Sequence, residues 1–162
     1  MVEGSILKDM GSYKNKIVSA FINSDEICEL LFNKEPYTEE DVEDLIYKQI
    51  FPYLYVDETQ TEVKPYICFE VDVPKIPTGT VKDMKLIVWA YSHKDGMRYS
   101  KKGYSGTKVD ILVDMIEKQL RESDELGIGK PQLLSCTYFI PNSKYYGKQM
   151  VYNMPDFKIG NR

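Results

Sequence analysis

The chain has 162 residues, of which 43% are hydrophobic and 28% charged, with a formal net charge of -4. That is about one domain, large enough to bury a core without a disulfide or metal staple. The acidic balance excludes a protein whose whole surface grips nucleic-acid phosphates, because such binding rests on Lys and Arg displacing counterions.

In chain order, Lys14 to Phe32 has helical spacing, with Ile17, Val18, Phe21 and Ile22 in one apolar stripe. Asn23-Ser24-Asp25-Glu26 interrupts it and supplies a fresh N-cap ahead of Ile27, Leu30 and Leu31. A short helix starts at Thr38, where Thr38-Glu-Glu-Asp41 forms a capping box with Asp in place of Glu, and Val42, Leu45 and Ile46 make its buried side. Gln49 to Val56 is extended, and Pro52 confines it to an edge strand or a packed connector. Asp57 to Val63 is a polar loop.

The clearest signal is the hairpin that follows. Tyr66 to Val73 and Met84 to His93 both alternate apolar and other residues, the period of a strand with one packed face. Pro74-Lys-Ile-Pro-Thr-Gly-Thr80 between them cannot continue a ladder and suits a turn. Lys94 to Gly106 is glycine-rich, basic and aromatic, and is expected to be a mobile loop. Thr107 then caps a helix with Val109, Leu112, Val113, Ile116 and Leu120 on one side, ending between Ser123 and Gly127. Leu133 to Ile140 and Gln149 to Met154 read as two more strands joined by a turn at Pro141 to Gly147, and Asp156 to Arg162 as a loosely held tail.

Strands joined by short turns are antiparallel, and the long helix must cross one sheet face to link the two hairpins. The expected fold is therefore α+β: a mainly antiparallel sheet of about four strands with helices packed on one face. It forms one domain, with a helical part at about 14–48 and a sheet-plus-helix core at about 50–157. The other sheet face and the edges need cover, and subunit contacts are a common solution.

Three cysteines, Cys28, Cys68 and Cys136, are far apart in the chain. They read as reduced core thiols, the last two lying inside apolar alternations. No CxxC or Cys/His cluster has metal-ligand spacing, and neither metal nor cofactor is expected. No apolar run reaches the length of a membrane span, and Met1 to Asp9 lacks the basic flank and apolar stretch of a signal peptide. The 13 tyrosines favour protein contact surfaces, each having a flat apolar body and a polar tip.

His93 is the only histidine. A catalytic base needs a nucleophile or an orienting acid, and no Gly-x-Ser-x-Gly or Cys-centred motif supplies one, so His93 reads as a hydrogen-bonded residue at a strand end. Glu70, Asp72, Asp83 and Lys85 fit the rival pattern of a Mg²⁺-dependent nuclease, in which acids hold the metal and a lysine steadies the attacking water. A solvated strand face is the plainer account, since Glu70 and Asp72 alternate with Phe69, Val71 and Val73. Gly127-Ile-Gly-Lys130 lacks the glycine order of a phosphate loop and reads as a helix stop. The basic and aromatic residues Arg98, Tyr99, Lys101, Lys102 and Tyr104 are the candidate interface, with a partner-contact role favoured over a plain solubilising loop and over nucleic-acid grip.

Several stretches together carry a family resemblance: Ile50-Phe-Pro-Tyr-Leu-Tyr-Val56, Pro65-Tyr-Ile-Cys-Phe-Glu-Val71, Trp89-Ala-Tyr-Ser-His93, Lys108-Val-Asp-Ile-Leu112, Gly127-Ile-Gly-Lys130, Tyr146-Gly-Lys148 and Asp156-Phe157. From Ile50 onward the chain resembles small structural proteins in the tail modules of Firmicute phages and prophages, and among these the tail terminator, or tail-completion protein, of the neck. The resemblance implies a subunit that assembles as a ring, usually a hexamer. Such a ring caps the last tail-tube ring, joins it to the head-side connector and, in contractile tails, touches the sheath. DNA would pass through the bore without specific binding. The protein would be built in the host cytoplasm and reside in the virion, or in a tail-like bacteriocin, with no catalytic residues and no membrane partner. A head-closure or stopper protein is the alternative within the same class. An immunity or adaptor protein that binds one partner through Lys94 to Tyr104 is an alternative outside it.

Overall fold

The structure is a computed structural model, and it describes residues 5, 7–33, 37–56, 62–77, 83–123 and 130–154. The polar loop up to Thr61, the hairpin turn from Thr78, the helix end beyond Ser123, the Gly127-Ile-Gly129 stop and the tail from Asp156 lie outside the described residues.

Helix α1 spans Met10–Ile22, α2 Asp25–Phe32, α3 Glu39–Glu43 and α4 Lys108–Glu122. Local chemistry accounts for their ends. The Ser24 hydroxyl accepts from the Ile27 amide at 3.2 Å and opens α2, separating it from α1 where the sequence places a break. Asn33 closes α2 in the left-handed region with φ 56°, a conformation that asparagine adopts more readily than most residues. Thr38 with Asp41, and Thr107 with Asp110, form reciprocal capping boxes at the starts of α3 and α4. The α3 helix ends at Glu43, so Leu45 is buried from the turn that follows it rather than from the helix itself.

Among the described residues the sheet has five strands: β1 Ile50–Phe51, β2 Pro65–Lys75, β3 Asp83–His93, β4 Gln132–Phe139 and β5 Tyr145–Met154. Their spatial order is β1-β2-β3-β5-β4. All pairings are antiparallel except that of β1, which joins β2 in parallel through Ile67 and Cys68. The fold is α+β, as the sequence predicts, with the edge segment at Gln49 to Val56 contributing the fifth, two-residue strand. The last strand starts at Tyr145, four positions earlier than its alternation suggests, because Tyr145, Tyr146 and Gly147 pair with His93, Ser92 and Tyr91.

Alternation sorts the two faces. Ile67, Phe69 and Val71 of β2, Leu86, Val88 and Ala90 of β3, and Met150 and Tyr152 of β5 meet Ile17 and Phe21 of α1, Leu30 and Leu31 of α2, and Ile111, Leu112, Met115 and Ile116 of α4 in one buried cluster. Phe21 stands edge-on to Phe69 with ring centroids 5.8 Å apart. Burying this layer is the main stabilising term, at about 1.5–3 kcal/mol for each large apolar side chain.

The opposite face carries a smaller cluster of Phe51, Tyr66, Cys68, Tyr91 and Tyr145. The connector after β1 covers it, since the Tyr91 hydroxyl donates to the Tyr55 carbonyl and Tyr55 stacks on Phe51 at 4.5 Å. Beyond this cover no described segment lies over the face, and Ile87, Trp89, Gln149 and Val151 are only half-buried. The Trp89 indole donates to Gln149 Oε1 at 2.8 Å across the β3–β5 pair.

Gly147 is required where β5 passes Tyr91. A Cβ there would fall on the Ala90 carbonyl oxygen and 2.5 Å from Tyr91 Cβ. Gly147→Ala is therefore expected to cost about 1–3 kcal/mol, the range for overpacking a close-packed site. Chemical denaturation measures this, and an unchanged midpoint would show that the β3–β5 approach is looser than described.

Candidate functional site

The loop after β3 begins with His93. Its Nδ1 accepts from the Asp95 amide at 3.1 Å and so caps the single 3-10 turn at Lys94–Gly96. The His93 ring stands edge-on to Tyr145, with centroids 5.2 Å apart. This is the hydrogen-bonded strand-end role expected for it.

The five candidate interface residues divide into two sets. Lys101 Nζ reaches Glu29 Oε2 of α2 at 2.8 Å, and the Tyr104 hydroxyl donates to Glu26 Oε1 of the same helix at 2.8 Å. The hydrogen bond to Glu29 raises the Lys101 pKa, and burial together with Glu26 pushes the Tyr104 phenol up to about 12. Tyr99 and Tyr104 also pack against the main core. Lys108, buried at the start of α4, lies 6.0 Å from the centroid of the Tyr99 ring, and burial lowers its pKa. Tyr99, Lys101 and Tyr104 thus hold the loop onto α2 and α4 from within the chain. Arg98 and Lys102 are the exposed members of the set, joined by Lys94.

The loop therefore presents a positive surface on a fixed base. A negative surface lies on α3 and its flank, where Glu39, Glu40, Glu43 and Asp44 are exposed. Glu39 and Glu40 lie in the first turn of α3, where the helix dipole favours them, while Glu43 and Asp44 stand at its C-terminal end. In the sequence Glu39 and Glu40 stand out only within the capping segment Thr38-Glu-Glu-Asp41, and Glu43 and Asp44 not at all; their exposure as a patch depends on how α3 is docked.

The residues of the rival nuclease pattern are placed as follows. Glu70 Oε1 pairs with Lys14 Nζ of α1 at 2.5 Å and accepts from the Val71 amide at 3.0 Å. Asp72 stands opposite Lys85 in the β2–β3 register, and Asp83 stands opposite Lys75 beyond a register shift. Among the described residues, no group of three or more His, Cys, Asp and Glu side chains is arranged to hold a metal ion. Nor is any helix among them long and apolar enough to cross a membrane.

Two of the cysteines are core thiols as expected. Burial pushes Cys28 and Cys68 up to about 11, with the Asp25 carboxylate adding to the shift at Cys28. Cys136 departs from the expectation and is exposed. Its strand, β4, alternates in sequence, but it is the outermost strand and its residues from Gln132 to Tyr138 are all exposed. Leu133, Leu134 and Tyr138, with Ile140 just beyond, are large apolar side chains in contact with water.

The model of the YomW family matches residues 24–154. The chain belongs to the YomW family. The name is associated with Bacillus phages and prophages, which makes this a phage-related protein. No curated protein and no solved structure matches the chain.

The division of the loop is open to test. Lys101→Glu would set a carboxylate against Glu29 and is expected to cost about 1 kcal/mol or more, as for a lost charge-assisted hydrogen bond. Lys102→Glu should stay within about 0.5 kcal/mol of the parent, as exposed substitutions usually do. Equal losses in urea unfolding would contradict the distinction.

Proposed function

We propose that this protein is a structural, non-enzymatic component of a phage-derived particle that assembles into a ring at the neck, as a tail terminator. In this role the ring caps the last ring of the tail tube, joins it to the head-side connector and, in contractile tails, meets the sheath. DNA passes its bore without specific contacts.

The observation that carries this reading is the pair of oppositely charged surfaces on separate elements. Lys94, Arg98 and Lys102 are exposed on the loop after β3, and Glu39, Glu40, Glu43 and Asp44 are exposed around α3. A ring is closed by a head-to-tail contact between two different patches of the same subunit, repeated until the rotation closes. Patches of opposite sign steer and register such a contact. The loop suits this use because Lys101 and Tyr104 fix its base to α2, leaving little loop ordering to be done on binding. Membership of a phage-related family and the resemblance of residues 50–157 to tail-module proteins support the same role.

The test is native mass measurement and electron microscopy of the protein alone and mixed with tail tubes. Rings that cap tubes are expected from the parent. Joint replacement of Arg98 and Lys102 by Glu should abolish them while leaving the unfolding midpoint unchanged, and Glu40→Lys with Glu43→Lys should restore them in that background. Absence of rings and of tube binding in the parent would overturn the reading. So would DNA cleavage in Mg²⁺ that disappears in Asp83→Ala, which would put the nuclease in its place.

A further inference from the structure

The sheet's two edges are treated differently. The β2 edge is guarded. Lys14 lies across it to Glu70, Glu70 occupies the Val71 amide, Pro74 offers no N–H, and β1 covers Ile67 and Cys68. These are the usual protections of an edge: charge, proline and partial cover. The β4 edge has much less. Gln132 to Ile140 contains no charged residue. Pro131 and Pro141 bound it, and a register shift falls between Leu133 and Ser135, which leaves Ser135–Tyr138 as a regular, uncharged, exposed stretch. Tyr138 is 72% exposed and Leu134 51%. A strand of this kind is a template for another strand.

We propose that β4 pairs antiparallel with β4 of a second copy of this chain, about a two-fold axis through Cys136. The sequence around that residue reads the same in both directions by side-chain type. With Cys136 opposite its own copy, Ser135 meets Thr137 and Leu134, at the register shift, comes opposite Tyr138, and each contact occurs twice. Hydroxyl with hydroxyl and aliphatic with aromatic are favourable cross-strand pairs, and an uncharged strand sets no like charges opposite each other. The two most exposed apolar side chains of the strand cover one another. A head-to-tail continuation from β4 onto β2 of the next copy is disfavoured, because it would have to break the Lys14–Glu70 pair, displace Glu70 from the Val71 amide and meet Pro74. The contact is therefore isologous, the same patch from both subunits. It rests on β4 alone and is independent of the ring.

Native mass spectrometry of the parent, Cys136→Lys and Cys136→Glu at matched concentration tests the pairing. The parent should contain an even number of chains. Each variant should show half that number, since it sets two like charges opposite each other at the axis, and an equal mixture of the two should regain the parent's number. A short bismaleimide applied to the parent should join chains through Cys136, the exposed thiol, without needing any variant to fold. A parent with an odd number of chains, three proteins of equal mass, or Cys136 modified singly without joining would each overturn the proposal. Rings that persist in Cys136→Lys at the parent's chain number would sink this contact while leaving the neck role standing.

Discussion

The pairing of β3 along its whole length, with β2 on one side and β5 on the other, is the interaction on which the other contacts rest. Once that register is set, the period of two decides which residues meet the helices and which do not. A slip of one residue would turn Leu86, Val88 and Ala90 away from Phe21, Leu30 and Met115 and bring Trp89 and Tyr91 in their place. The register is held by particular chemistry. Gly147 lets β5 approach Tyr91, the Tyr91 hydroxyl is bound by the Tyr55 carbonyl, and Trp89 is bonded to Gln149.

The same pairing determines what stays uncovered. Among the described residues, the helices occupy one face, and the connector after β1 covers the part of the other face around Tyr66, Tyr91 and Tyr145. Half-buried Ile87, Trp89 and Val151, the exposed β4 and two charged surfaces of opposite sign are left outside. A monomer rarely leaves long, uncharged strand edges in water, because they aggregate. This surplus of adhesive surface is the physical argument for a subunit. Its charges lie where contact would be steered, and its apolar strand lies where contact would be dry.

Much of the fold was legible because it is encoded locally. The two long strands of the hairpin announce themselves by alternation, and Thr38 and Thr107 by the acid three residues on. The break between α1 and α2 is carried by Ser24. Features that depend on distant partners were not legible. Cys136 sits in an apolar alternation like that of Cys68, yet one strand is outermost and the other lies inside the sheet, and only the strand order tells them apart. The start of β5 at Tyr145 depends on the far end of β3. In the interface loop, composition singled out five residues, but it could not show that Glu26 and Glu29 claim two of them, because those acids lie some 70 positions earlier in the chain.

The central claim is that surfaces left open by this fold are closed by other copies of it. Amide hydrogen exchange at low and high protein concentration addresses that claim most directly. The account predicts that β3 exchanges slowly in both conditions, while Ser135–Phe139 and the loop around Arg98 to Lys102 exchange fast when dilute and become protected when concentrated. Identical exchange of these two segments at both concentrations, with β4 fast throughout, would contradict it.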